Sequence, residues 1–285
     1  MKKTVTILLL LQTFVLAQLH TVVSIQPEVT FLKAIGGDKV DVTLMVMPGN
    51  SPHTYEPRPS QMQSIANAQL YFAIGVEFEK VWLPKFKALN PSMRIVDLSE
   101  KIEKLPIAHT PGVATHTHTH HSDEGLDPHI WTSPANVAIM AHQIHEALCK
   151  ADPANEAYYT KHLHTFLAHI EATDKKIRTL LSKRPKGSSF MVFHPSWGYF
   201  AKTYNLRQLP VEVEGRSPSP KALIAIIEEA KAQKVTALFT QPEFSDTAAQ
   251  IIAHELQIPV IKVTPLAKAW AQNLIRIAKA IAGEQ

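Results

Sequence analysis

The stretch THTHTHHSDEGLDPHIW (115–131) holds five of the chain's fifteen histidines. Neutral imidazole offers a nitrogen lone pair to borderline divalent metals, so the first question is which of these rings could be ligands. Their surroundings differ. His116, His118, His120 and His121 sit among Thr, Ser and acids with no apolar neighbour, whereas His129 stands in DPHIW, where apolar residues resume. Two further histidines resemble His129 in setting: His53 in MPGNSPHTYEP and His194 in MVFHPSW. Each of the three has a proline beside it (Pro52, Pro128, Pro195), which restricts the backbone and pre-orders a ligand. His142, His145, His162, His164, His169 and His254 fall on helical patterns and read as solvated or packed side chains.

Three imidazoles converging on one point suit zinc, which accepts four-coordinate geometry with nitrogen ligands at roughly 2.0–2.1 Å. Manganese favours more carboxylates and more ligands. Three histidines and a water on zinc also make the hydroxide used in hydrolysis. The sequence has no HExxH, and Glu243 is its only weak candidate for a general base, so binding is favoured over catalysis. A metal store is the third class; it would show several weak sites and no tight one.

The elements that must position these rings follow from hydrophobic period. TVVSI (21–25), DVTLMV (41–46), LYFAI (70–74) and RIVDL (94–98) read as strands. RPSQMQSIANA (58–68) and EKVWLPKFKAL (79–89) read as helices, the second interrupted by Pro84. Alternating strand and helix implies a parallel sheet covered by helices. After a helix opening at Ser133-Pro134, a second start at Asp152-Pro153 leads into a run without breakers to Lys183, with Tyr159, Leu163, Phe166, Ile170, Ile177 and Leu180 on one stripe. A helix of that length, roughly 45 Å at about 1.5 Å per residue, reads as a rigid strut between two lobes. The alternation then restarts: SSFMVF (188–193), LPVEV (209–213), TALFT (236–240) and PVIKV (259–263) as strands, 219–233, 246–256 and 267–282 as helices. His53 and His194 thus both follow strands, where ligands gather in open α/β sheets. The predicted layout is a signal segment 1–17, an α/β lobe 18–150 with a polar His-rich loop 109–124, a linking helix 151–184 and a second α/β lobe 185–285.

Bulk properties agree. A chain of 285 residues, 45% hydrophobic and 19% charged, is long enough for two modest domains with real cores. MKKTVTILLLLQTFVLAQ has two lysines, an apolar run and a Val15-Leu16-Ala17 site resembling a cleavage signal. The run is shorter than the roughly 20 residues that span a bilayer, so export is favoured over anchoring. Cys149 is the only cysteine and does not follow that run, which excludes an intramolecular disulfide and a lipidated N-terminal cysteine. An exported, unlipidated, soluble monomer in a periplasm is the expectation. The net charge of +4, with lysines and acids interspersed, gives no support for nucleic-acid binding.

MPGNSPHTYEPRPSQMQSIANAQLYFAIGVEFEKVW, DPHIWTSPAN, VFHPSWGYFAKTYNL, EGRSPSPKAL and FTQPEFS together resemble the metal-binding proteins of zinc and manganese ABC importers. The resemblance spans essentially the whole mature chain with its motifs in order. It implies two α/β lobes joined by one long helix, a metal in the cleft between them, and delivery to a membrane permease. It places the family's three ligands on His53, His129 and His194; a histidine at the third position resembles zinc-type members, where manganese-type members carry glutamate. It also matches a His-rich loop before the second ligand. Two departures concern the fourth ligand. Where the family often has aspartate before Pro-Leu, this chain has Thr264, and the family's FTEPQF-like motif reads FTQPEF, with Gln241 and Glu243 exchanged. Water or Glu243 is the expected fourth ligand. An extended THTHTHH would put His116, His118 and His120 on one side at intervals of about 6.5–7 Å, a set of auxiliary, weaker zinc sites.

Overall fold

A computed structural model describes residues 18–108, 125–213, 216–244 and 247–284. The expected signal segment and the histidines at 116, 118, 120 and 121 lie outside the described residues. The first sheet contains β1 (Leu19–Val23), β2 (Val40–Leu44), β3 (Leu70–Ala73) and β4 (Arg94–Asp97), all parallel in the order β2-β1-β3-β4. Its helices are α1 (Gln26–Gly36), α2 (Pro59–Asn67), α3 (Glu77–Leu89) and α4 (Pro134–Ala151). The second sheet repeats the arrangement with β5 (Ser189–Val192), β6 (Arg207–Pro210), β7 (Leu238–Thr240) and β8 (Val260–Lys262), parallel in the order β6-β5-β7-β8. Between the lobes runs α5 (Glu156–Leu181), 26 residues and about 39 Å long. The second half adds α6 (Gly198–Thr203), α7 (Pro220–Ala232), α8 (Thr247–Leu256) and α9 (Trp270–Ala282). Among the described residues, no helix is long and apolar enough to cross a membrane.

The two-lobe α/β fold and the joining helix are as expected, with differences of detail. Asp152-Pro153 does start a helical segment, but Pro153–Asn155 form a separate 3-10 turn and α5 begins at Glu156. Pro84 does not interrupt α3. Phe78, Trp82 and Phe86 stack along one side of α3, bridging the proline on both sides and holding the helix together where a backbone bond is lost. The last helix crosses back to the first half of the chain. Trp270 meets Phe31 of α1 edge-on at 5.5 Å, and the buried face of α9 joins the same apolar core as α5 and the first sheet.

One buried polar cluster underlies the first sheet. The Glu28 carboxylate accepts the Ser24 and Ile25 amides at 3.0 and 2.9 Å and so caps α1. Glu79 accepts the Ile74 and Gly75 amides at 2.9 and 2.7 Å and the Ser24 hydroxyl. Gly75 has φ +93°, a conformation glycine allows, and that turn aims α3 at the cleft. Burial, partly offset by these hydrogen bonds, pushes Glu79 from the ordinary 4.5 up to about 7, and burial holds Glu28 well above its usual range. A raised carboxyl binds its proton more tightly in the folded chain. Its stabilisation is therefore fully present below about pH 4.5 and is lost as pH rises through about 7. The difference in unfolding free energy between wild type and Glu79→Gln should shift by about 2–3 kcal/mol between pH 4.5 and 7.5, against wild type at the higher pH. Urea titrations at the two pH values measure it, and an unchanged difference would refute the assignment.

Candidate metal centre

His53, His129 and His194 all face one cleft between the lobes, lined also by Glu77, Glu243 and Phe244. His53 lies in the loop after β2, which continues pairing through Met45 and Val46 before two tight turns (Asn50 amide to Met47 carbonyl, 3.1 Å; Thr54 amide to Ser51 carbonyl, 3.3 Å). Tyr55 anchors the loop by donating its hydroxyl to Gln61 at 2.9 Å. His194 follows β5, and His129 precedes the 3-10 turn Ile130–Thr132 that leads into α4.

The rings are held unequally. The carboxylate of Asp127 can only accept, so His129 Nδ1–H donates to its Oδ1 (2.7 Å), which also takes the His129 amide (2.9 Å). His194 Nδ1–H donates to Glu212 Oε1, also at 2.7 Å. In both, the carboxylate takes Nδ1 and leaves Nε2 as the lone-pair nitrogen, the arrangement that orients metal-binding histidines. The His129 and His194 side chains are 8% and 9% exposed, whereas His53 is 38% exposed and faces the comparably exposed Glu77, 3.3 Å from its Nδ1. Two ligand candidates are therefore fixed and one is loosely held.

His194 is the centre of the group. Its ring centroid lies 5.4 Å from that of His53 and 5.3 Å from that of His129, both edge-on, and it stacks on Phe244 at 5.2 Å. Among the described residues its buried Nε2 has no hydrogen-bond partner, an arrangement that costs free energy unless something binds there. The cavity has a volume of about 30 Å³. That is room for a particle of water size. Among the described residues, no three His, Cys, Asp or Glu side chains stand ready-made as a cage.

Of the residues weighed for the fourth position, Thr264 does not line the cavity. Its hydroxyl accepts the Leu266 amide (3.1 Å) and its carbonyl the Asn273 side-chain amide (2.9 Å), so it shapes the turn before α9. Gln241 is buried and donates to the Ser196 hydroxyl at 2.8 Å. Glu243 lines the cavity, and burial raises its carboxyl above the usual range. Sequence reasoning missed Glu77, Asp127 and Glu212. Asp127, two residues before His129, was visible as an Asp-Pro-His turn. Glu212 was not, because only the parallel register that sets Val192 opposite Pro210 brings it beside His194 two residues on.

Residues 21–282 match the family described as zinc-uptake complex component A, periplasmic (ZnuA). The chain belongs to this family. A ZnuA crystal structure superposes with a TM-score of 0.84 at 38% identity, covering 94% of this chain and 99% of its own. A Bacillus subtilis (strain 168) protein described as the high-affinity zinc uptake system protein ZnuA is 30% identical over 243 residues, covering 84% of this chain and 76% of its own length. A manganese ABC transporter substrate-binding lipoprotein of Streptococcus gordonii is 27% identical over 238 residues, covering 80% and 73%. Membership of the ZnuA family makes this chain the metal-binding component of an ABC importer, acting outside the cytoplasm with a membrane permease, and not an enzyme.

Proposed function

We propose that the chain is exported to the periplasm, captures Zn²⁺ between its lobes through His53, His129 and His194, and delivers it as a monomer to the permease. The buried Nε2 of His194, without a hydrogen-bond partner among the described residues and set between two other imidazoles in the cleft, is the observation that carries this reading. An all-imidazole set favours zinc over manganese, which prefers oxygen donors. Competition titrations with a chromophoric chelator should give a zinc affinity at least a hundredfold above that for manganese; equal affinities would sink the zinc assignment.

Water is the favoured fourth ligand over Glu243. Glu243→Gln should then leave the zinc dissociation constant within about threefold, roughly 0.65 kcal/mol, and a larger loss would make Glu243 the ligand. The His-rich loop 109–124 is proposed as an auxiliary collector that raises the zinc concentration near the cleft. Titration calorimetry of the intact chain should show one tight site and at least one weaker site. A variant lacking residues 115–122 should keep only the tight one. If the deletion removed the tight site instead, the loop would belong to the main centre.

A further inference from the structure

His129 precedes the long helix in the chain, yet the group that orients it is gripped from the other lobe. The Asp127 side chain is buried, with Oδ1 engaged by His129. Its Oδ2 lies against Gly198, the first residue of α6, where a β-carbon would stand 2.4 Å away. The next residue, Tyr199, donates its hydroxyl to the Asp127 carbonyl at 2.9 Å and accepts the Leu105 amide at 3.1 Å. One turn further on, the Thr203 hydroxyl donates to Ser133 Oγ at 2.9 Å. A single short helix thus holds the segment on both sides of His129. The same helix begins four residues after His194, through a tight stretch pinned by the Ser196 amide on the His194 carbonyl (2.8 Å) and the Trp197 amide on Gln208 (2.6 Å).

We propose that Gly198 is a positioning residue for metal capture: by leaving room for the Asp127 carboxylate it sets the His129 ring, so that His129 and His194 form one prearranged half-site carried by the second lobe. The proposal rests on the reading of His129 as a ligand. The glycine is needed here for space, since no side chain fits between the α6 backbone and a carboxylate pinned by two hydrogen bonds. His53 then completes the site from the opposite lobe.

The test uses Gly198→Ala, Asp127→Ala and the double variant of the full chain. Zinc affinity is read by chelator competition with Zn²⁺ alone, and the His129 ring nitrogens by long-range ¹H–¹⁵N spectra of the metal-free protein. Gly198→Ala should weaken zinc binding by about 10- to 100-fold, the range typical of lost outer partners of a metal-bound histidine, and should cost His129 its single Nδ1–H form. In the Asp127→Ala background the same change should add less than about threefold, because its target is gone. If Gly198→Ala alone folds poorly, the double variant should recover the melting temperature of Asp127→Ala. Affinity within threefold of wild type in Gly198→Ala, an undiminished effect without Asp127, or no recovery in the double variant would each overturn the proposal. His129→Ala separates the underlying reading: unaltered zinc binding there would remove the ligand role and the link to capture, while the ring-nitrogen spectra would still decide the Gly198–Asp127–His129 contact on its own.

Discussion

His194→Ala should weaken zinc binding by at least a hundredfold, about 2.8 kcal/mol, and more than His53→Ala. His194 is the ring that both other histidines approach, and its buried Nε2 has no hydrogen-bond partner among the described residues. Removing it takes away a pre-oriented donor and leaves Glu212 without the ring it holds. His53 is more exposed and its ring faces a comparably exposed Glu77, so part of its gain is offset by the cost of ordering a loosely held side chain. His145, on α4 and bonded to Thr160 at 2.9 Å, is the control. His145→Ala should bind zinc as wild type does. A dissociation constant for His194→Ala within about threefold of wild type would end the three-histidine reading.

Trp270→Ala should lower the unfolding free energy of the metal-free protein by about 3–5 kcal/mol, the usual range for emptying an aromatic site in a core. The indole is buried, packs edge-on against Phe31, and donates to the Trp131 carbonyl at 2.8 Å. Trp131 in turn donates to the Pro265 carbonyl at 2.8 Å, and its ring lies 5.2 Å from that of His129. The loss therefore reaches the metal cleft, and zinc affinity should fall with stability. Trp270→Phe, which keeps most of the volume and loses the hydrogen bond, should cost about 1 kcal/mol. Urea denaturation followed by circular dichroism checks both. A loss below about 1 kcal/mol in Trp270→Ala would show that α9 does not hold the first lobe.

Much of this architecture was legible because period-two and period-3.6 patterns survive in the strands and helices, and the described strands fall within two or three residues of their expected places. Two helices were not legible. α1 has β-branched Val29 and Thr30 in its first turns and is capped by Glu28 in place of a Ser or Thr, and α6 is six residues long, too short to show a period. The three candidate ligands could be picked out because each stands beside a proline next to an apolar segment, a local signal. The carboxylates that face them depend on non-local facts: strand register for Glu212, the direction of α3 for Glu77, and the space left by Gly198 for Asp127. Charge and spacing along one chain do not encode such neighbours.

The return of α9 to α1 has a consequence for the order of assembly. The Thr30 hydroxyl donates to the Lys268 carbonyl, a contact between residues 238 positions apart. The core beneath the first sheet is completed only by residues near the far end of the chain, so the first lobe lacks part of its packing until they are made. Closing so large a loop is slow compared with local helix formation.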